Sequence, residues 1–159
     1  MKKSTDPIAQ LMQEHNHAIG QLKLLDKAVR AFSQNGYSSK YFRQLTASLK
    51  FIENEVGIHN QREEEALFPT LERYVEGPTR ILRNDHKKLK KGFGRLRSAI
   101  QDVNKRRDSF SAIMNLRQIS KNVIQLFVNH IHKENYILFP LVQRFLSKEE
   151  LREIARKML

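Results

Sequence analysis

His59-Asn-Gln-Arg-Glu63-Glu-Glu-Ala-Leu-Phe-Pro69 has a counterpart 71 residues later, His130-Ile-His-Lys-Glu134-Asn-Tyr-Ile-Leu-Phe-Pro140. Another histidine precedes each copy by 44 residues, His15 in the first half and His86 in the second. Apolar residues after these two histidines recur with the same offset. The chain is therefore predicted to consist of two similar halves.

Each half has the pattern of two long helices. Apolar residues recur at intervals of three and four residues through four segments, and no strand alternation interrupts them. Asn35-Gly36, Gly77-Pro78 and Asp108-Ser109 are predicted to separate the segments. Four long helices with short connections favour an all-α, up-down-up-down antiparallel four-helix bundle, built from two pseudo-symmetric helical hairpins.

The bundle is predicted to span residues 6–145. A Ser-x-x-Glu capping box then begins a short C-terminal helix over residues 147–158. Pro69 and Pro140 fall late in the second and fourth helical patterns, so each is predicted to bend its helix, which then continues for about a turn. Residues 1–159 are expected to form a single domain.

Composition excludes several kinds of protein. The 159 residues include no cysteine, which excludes disulfide frameworks, iron–sulfur clusters and thiolate zinc sites. No apolar run approaches the roughly 18 residues of a membrane helix. The two N-terminal lysines are not followed by the apolar region of a secretory signal. We expect a cytoplasmic monomer or homodimer without a membrane partner.

The chain is strongly basic, with 29 Lys and Arg residues against 17 Asp and Glu and a formal net charge of +12. Such a charge is compatible with a nucleic-acid partner. The densest basic cluster runs from Lys87 to Arg97, and its single aromatic residue, Phe93, falls at a core spacing. That pattern argues against a platform for base stacking, so nucleic-acid binding is not favoured.

The interval of 44 residues places two histidines of each half at one level of the bundle. After His15 the first helix runs about 18 residues, roughly 27 Å, and the second helix returns a similar distance to His59. His86 and His130 are related in the same way. Four imidazoles are therefore expected at one level of the core.

Glu63 and Glu134 each follow one of these histidines by four residues, which places each pair on one helix face. Two buried carboxylates must be paired or must coordinate a cation, and mixed imidazole–carboxylate donors suit iron or manganese. Six donors exceed what one tetrahedral zinc needs and fit two metals bridged by two carboxylates. The predicted metal ligands are His15, His59, Glu63, His86, His130 and Glu134.

Neighbouring polar residues do not share this repeat. His17 and His132 lie about 200° around the helix from the nearest predicted ligand, and neither recurs in the other half, so both are predicted at the surface or its boundary. Glu64 and Glu65 are replaced in the second half by Asn135 and a tyrosine, so they are predicted to be solvated or to lie just outside the ligands.

With these residues in place, the sequence resembles the hemerythrin-like, or HHE cation-binding, family. The resemblance covers about residues 8–144 and rests on the repeated His-x-x-x-Glu…Leu-Phe-Pro element with its upstream histidine. It implies a four-helix bundle that holds two iron ions in an oxo- and carboxylate-bridged di-iron centre. It also implies that the four histidines bind iron and that Glu63 and Glu134 bridge the two ions.

The sequence departs from the oxygen-carrying members of that family. They have a further ligand histidine where this chain has Lys90, and an aspartate where it has Asn135. The set of four histidines and two glutamates is more similar to that of iron-centre repair proteins induced by nitrosative stress. Their cysteine-containing domain has no counterpart in this sequence. By the same resemblance, Glu55 and Asp85 are expected beside the irons or on a channel that leads to them.

The resemblance implies that the protein binds or reduces a small ligand, O2, NO or peroxide, in oxidative or nitrosative stress or in iron-centre repair. Fewer nitrogen donors than in an oxygen carrier favour redox chemistry over reversible oxygenation. The alternatives are a reversible O2 carrier or sensor and an iron-storage or iron-sensing protein without catalysis. The sequence leaves open whether the protein is an enzyme.

Overall fold

The computed structural model describes residues 6–159, and helices are the regular elements of this part of the chain. They are α1 (Pro7–Asn35), α2 (Ser39–Arg62), a first π-helical turn (Glu63–Leu67), α3 (Phe68–Leu71), α4 (Pro78–Lys105), α5 (Phe110–Lys133), a second π-helical turn (Glu134–Leu138), α6 (Phe139–Phe145) and α7 (Lys148–Lys157). The predicted all-α fold is confirmed. The expectation about a secretory signal concerns residues 1–5 and lies outside the described residues.

The four long helices form a four-helix bundle. α1 packs against α2 and α5, while α4 packs against α5 and α2. The first hairpin is α1 to α3, and the second hairpin is α4 to α6. Within residues 6–159, no helix has the length and apolar character that crossing a membrane requires.

Local sequence signals set the helix ends. The Asp6 side chain accepts a hydrogen bond from the Ile8 amide at 2.9 Å, and Pro7 is the first residue of α1. Gly36 ends that helix with φ 81°, and Gly77 has φ 110° before Pro78 begins α4. These positive φ angles are accessible to glycine at little steric cost, which explains why the chain turns there.

Two π-helical turns lie immediately before Pro69 and Pro140, where the sequence predicted bends. The amide of Phe68 donates to the Glu63 carbonyl, five residues earlier, and the same bond recurs between Phe139 and Glu134. A proline lacks an N–H group and its ring crowds the preceding turn, so the wider π turn accommodates it and the helix continues. The expected continuation is α3 in the first half and α6 in the second.

The apolar core consists of two clusters. The larger contains residues such as Leu25, Leu49 and Leu96 and lies toward the α1–α2 connection. The smaller contains Leu11 and Phe68 and lies at the opposite end. α7 closes that end, because the side chains of its Ile154 and of Met158, which directly follows it, are buried in the smaller cluster. The buried polar residues described next lie between the two clusters.

Candidate metal centre

All six predicted ligands are buried, and the structure brings them together. Their exposed fractions run from 0% for the two glutamates to 6% for His59 and His86. Each hairpin contributes one close histidine pair. The ring centroids of His15 and His59 lie 4.7 Å apart, and those of His86 and His130 lie 4.8 Å apart. The equal 44-residue intervals thus correspond to one level of the bundle.

Glu63 and Glu134 connect the two histidine pairs. Glu63 Oε1 lies 3.1 Å from His59 Nε2 and 3.4 Å from His86 Nε2, which belong to different hairpins. Glu134 Oε1 lies 2.8 Å from His15 Nε2 and 3.5 Å from His130 Nε2, again in different hairpins. Each carboxylate therefore lies between both halves of the molecule, where a bridging ligand has to be.

The donor atoms fall into two overlapping groups that could each hold a metal ion. One group consists of Glu63, His86, His130 and Glu134, and the other consists of His15, His59 and Glu134. Within each group the ligand atoms lie within 4.8 Å of one another. Imidazole nitrogens and carboxylate oxygens are the donors that iron and manganese accept.

Hydrogen bonding inside the protein leaves this cluster unsatisfied. Of the seven buried side-chain atoms without a hydrogen-bond partner among the described residues, six belong to the predicted ligands. They include both oxygens of Glu63 and the Nε2 atoms of His86 and His130. Unpaired buried polar atoms are costly, and buried charges are normally paired or bound to metal. The residues present therefore fit a metal-binding site.

Burial and mutual repulsion perturb the carboxylates. Burial raises the pKa of Glu63 above its ordinary value, and the nearby Glu134 carboxylate raises it further. Burial also raises the pKa of Glu134, but hydrogen bonds from the Glu63 carboxyl, His130 and His15 outweigh burial and hold this pKa well below its usual range. Two like charges at close range drive the two pKa values apart.

Two of the histidines, His59 and His130, have pKa values raised above the ordinary value. Burial lowers the pKa of His59, but the charge of Glu63 and further carboxylate contacts outweigh it, so the net pKa lies well above the ordinary value. For His130 burial again lowers the pKa, and bonding to Glu134 more than reverses the effect. Protons on imidazoles thus balance the carboxylates without metal, and cations can replace those protons.

The outer nitrogen of each histidine faces an oxygen. Nδ1 of His86 lies 3.0 Å from Glu64 Oε1, and Nδ1 of His130 lies 3.2 Å from Asp85 Oδ2. In the first hairpin, Nδ1 of His15 lies 2.9 Å from Asn135 Oδ1, whereas Nδ1 of His59 lies 3.6 Å from Glu14 Oε1. Such outer partners orient a metal-binding imidazole and raise its basicity.

These outer partners follow the internal repeat. Glu14 and Asp85 are 71 residues apart, as are Glu64 and Asn135. A cationic side chain donates a hydrogen bond to each of the carboxylates of Glu14 and Asp85, and these two cations also follow the repeat. Arg62 donates to Glu14 at 3.1 Å, and its counterpart Lys133 donates to Asp85 at 2.8 Å.

The phenylalanines of the two Leu-Phe-Pro segments pack on ligand rings. Phe139 stacks on His15, with ring centroids 5.6 Å apart, and Phe68 stacks on His86 at 5.8 Å. In each pair, the phenylalanine belongs to one hairpin and the histidine that it covers belongs to the other. The aromatic faces restrict the orientation of these two imidazoles, a role that the sequence did not indicate.

The other residues singled out in the sequence lie either beside the candidate centre or at the protein surface. Asp85 is buried and touches His130, so it lies beside the candidate centre. Glu55 is exposed and borders a cavity that leads to the centre, as a channel residue would. His17 and His132 are exposed, in agreement with their predicted surface position, although His17 also borders that cavity.

This cavity has a volume of about 30 Å³. Candidate ligands line it, namely His15, His59, His130 and Glu134, together with Val56 and Phe127. Since a water needs about 10–15 Å³ of such volume, the space has room for about two or three molecules of that size. This cavity suits a ligand of two or a few atoms.

Comparison with known proteins agrees with this geometry. The sequence model of the family described as "Hemerythrin HHE cation binding domain" matches residues 6–142. Among curated proteins, none matches this chain significantly. The matched range contains the helical hairpins with all six buried histidine and glutamate residues. The chain therefore belongs to the hemerythrin HHE cation-binding domain family.

Proposed function

We propose that the protein holds two iron ions and binds or reduces a small ligand, O2, NO or peroxide. The observation that carries this proposal is the pairing of histidines within each hairpin together with two carboxylates that lie between the hairpins. Bound iron supplies redox chemistry and open coordination positions for such a ligand.

Each residue of the centre has a part in this proposal. His15 and His59 hold one ion, His86 and His130 hold the other, and Glu63 and Glu134 bridge them. The two carboxylates cancel part of the added positive charge in a buried setting where an uncompensated charge is costly.

The surroundings of the centre support a small ligand. The cavity of about 30 Å³ reaches the ligands from the side of α1, α2 and α5. Its walls include the apolar side chains of Phe127 and Val56, which limit the water that accompanies a ligand inward. Glu55 and His17 lie at the exposed edge of this cavity.

The experiment that tests this proposal starts with metal content per chain. The protein is purified without a histidine tag or chelator, and iron, manganese and zinc are measured by mass spectrometry. We expect two irons per chain and an absorption spectrum that changes on exposure to NO, O2 or peroxide. One zinc, or no metal in a helical and stable protein, would overturn the proposal.

The same sample separates catalyst from carrier. Repeated cycles between oxygen and argon are followed in the absorption spectrum, and consumption of NO or peroxide is measured in solution. Turnover of NO or peroxide supports a redox enzyme. A spectrum that returns fully to its starting form after each cycle, without turnover, would indicate reversible O2 binding in place of reduction. The di-iron part of the proposal would then stand.

A further inference from the structure

We infer that the two metal positions are unequal. The position held by His15 and His59 exchanges its metal readily, and the position held by His86 and His130 retains it. This inference rests on the proposed two-metal function and assigns the difference to particular residues around the histidines. Two observations carry it.

The first observation is the outer hydrogen bonding. Both histidines of the second hairpin have a carboxylate oxygen within hydrogen-bond distance of Nδ1, from Glu64 at 3.0 Å and from Asp85 at 3.2 Å. A carboxylate partner makes an imidazole a stronger donor to metal than a neutral partner does. The second hairpin therefore provides two strengthened nitrogen ligands.

The first hairpin lacks both strengthened ligands. His15 has only the neutral amide oxygen of Asn135, at 2.9 Å, where the repeat has Glu64 in the other half. His59 faces a carboxylate, but Glu14 Oε1 lies 3.6 Å from its Nδ1. That separation exceeds a hydrogen bond. The break in the repeat at Asn135 is thus the main chemical difference between the two positions.

The second observation is access. The cavity lined by His15 and His59, and also by His130, is bordered by the carboxylates of Glu14 and Glu55, which attract cations. A surface groove borders His86, and its cationic side chains, Lys87, Lys90 and Arg97, outnumber its carboxylates, Glu53 and Glu64. This excess of positive charge opposes an approaching metal ion. The more acidic route therefore reaches both histidines of the first hairpin but only one of the second.

The test measures metal release from the fully loaded protein to an excess of chelator. Two phases of equal amplitude are expected, one metal per chain in each. Asn135→Glu restores the residue that the repeat has at this point and should slow the fast phase by about tenfold or more. Glu64→Gln removes a carboxylate partner from the other half and should speed the slow phase by a similar factor.

Two controls assign the phases. Glu65→Gln changes an exposed glutamate next to the same segment and should alter neither rate. His15→Ala should abolish the fast phase and leave one metal per chain that is released slowly, while His86→Ala should abolish the slow phase. Circular dichroism of each variant checks that the helices are retained.

Failure of this inference is distinct from failure of the proposed function. Two metals per chain released with a single rate, or a fast phase that Asn135→Glu leaves unchanged, would overturn the inequality while the di-metal proposal stands. Fewer than two metals in the fully loaded wild-type protein would overturn the proposed function and this inference with it.

Discussion

Asp85 Oδ2 lies 3.2 Å from Nδ1 of His130, in a contact that joins α4 to α5 at the level of the candidate centre. Lys133 donates to the same oxygen at 2.8 Å and holds the carboxylate in place. Asp85→Asn keeps an acceptor but removes the charge. We expect it to weaken metal binding about 10- to 100-fold, measured by competition with a chelator of known affinity. His132→Ala, at an exposed histidine nearby, is the matched control and should leave the affinity unchanged.

Substitution of one bridging carboxylate should weaken metal binding but stabilise the metal-free protein. Glu63→Gln should lose at least one metal per chain, because a neutral amide cannot bridge two cations as a carboxylate does. The metal-free variant should be more stable than the metal-free wild type, because burial, together with the nearby Glu134 carboxylate, raises the Glu63 pKa and opposes its ionisation. Metal analysis and thermal unfolding after chelation check both effects. Wild-type metal content in this variant would contradict the bridging role.

Glu55 should affect the rate of metal uptake more than its extent. It is exposed at the edge of the cavity that leads to the ligands, and within residues 6–159 it makes no hydrogen bond or ion pair with any of them. We expect Glu55→Gln to slow uptake several-fold at low ionic strength, with the difference shrinking as salt screens the charge. Stopped-flow mixing with ferrous iron under argon measures this. An unchanged rate at low salt would exclude this route for the cation.

Two glycines of α4 should respond differently to alanine. Gly94 has open space around its missing side chain, so Gly94→Ala should stabilise the protein by about 1 kcal/mol through helix propensity. At Gly92 a new Cβ would lie 3.1 Å from Val123 Cγ2 in α5. That contact should cancel part or all of the gain, and Gly92→Leu should destabilise the α4–α5 packing. Denaturant unfolding of the metal-free forms compares them.

The start of α7 should be sensitive to acid. The backbone amide of Ser147 and the Tyr74 hydroxyl donate to Glu150, at 3.0 and 2.7 Å, and hold the pKa of this carboxyl below its ordinary value. Its stabilising contribution is therefore complete above that ordinary value and disappears as the pH falls through the lowered pKa. Hydrogen exchange of α7 amides should show this loss in the wild type and not in Glu150→Gln. Glu149→Gln, at the neighbouring exposed position, should behave as the wild type.

The sequence predicted the helices and the six buried donors because both depend on local spacing. Apolar periodicity defined the helices, and equal intervals placed His15 opposite His59 and His86 opposite His130. The C-terminal helix was also predicted, but only the structure shows that Ile154 and Met158 bury it against one end of the bundle.

The outer partners could have been anticipated only in part. The repeat relates Glu14 to Asp85 and Glu64 to Asn135, so the pairs themselves are visible in the sequence. Their targets are not, because Glu14 adjoins His15 in the chain but faces His59 across the hairpin. Such contacts depend on how neighbouring helices are rotated about their axes, which spacing within one helix does not determine.

The π-helical turns were also only partly predictable from the sequence. Pro69 and Pro140 indicated that the helices are irregular, and the structure confirms irregularity just before each proline. The form of the irregularity depends on tertiary packing, since three consecutive residues, Ala66, Leu67 and Phe68, are buried there. An uninterrupted α-helix turns these positions by about 100° each and cannot present all three to one neighbour.

Each π turn changes the direction around the helix axis in which the residues after it point, relative to the residues before it. Residues before Glu63 present their donors to the metal layer in one angular setting, and residues after Leu67 present their apolar side chains to the smaller core cluster in another. Removal of one residue from such a turn would return the helix to a single setting and rotate everything beyond it by about 100° relative to the ligands. The two π turns thus allow a polar, metal-binding layer and a tightly packed apolar end to coexist on the same pair of helices.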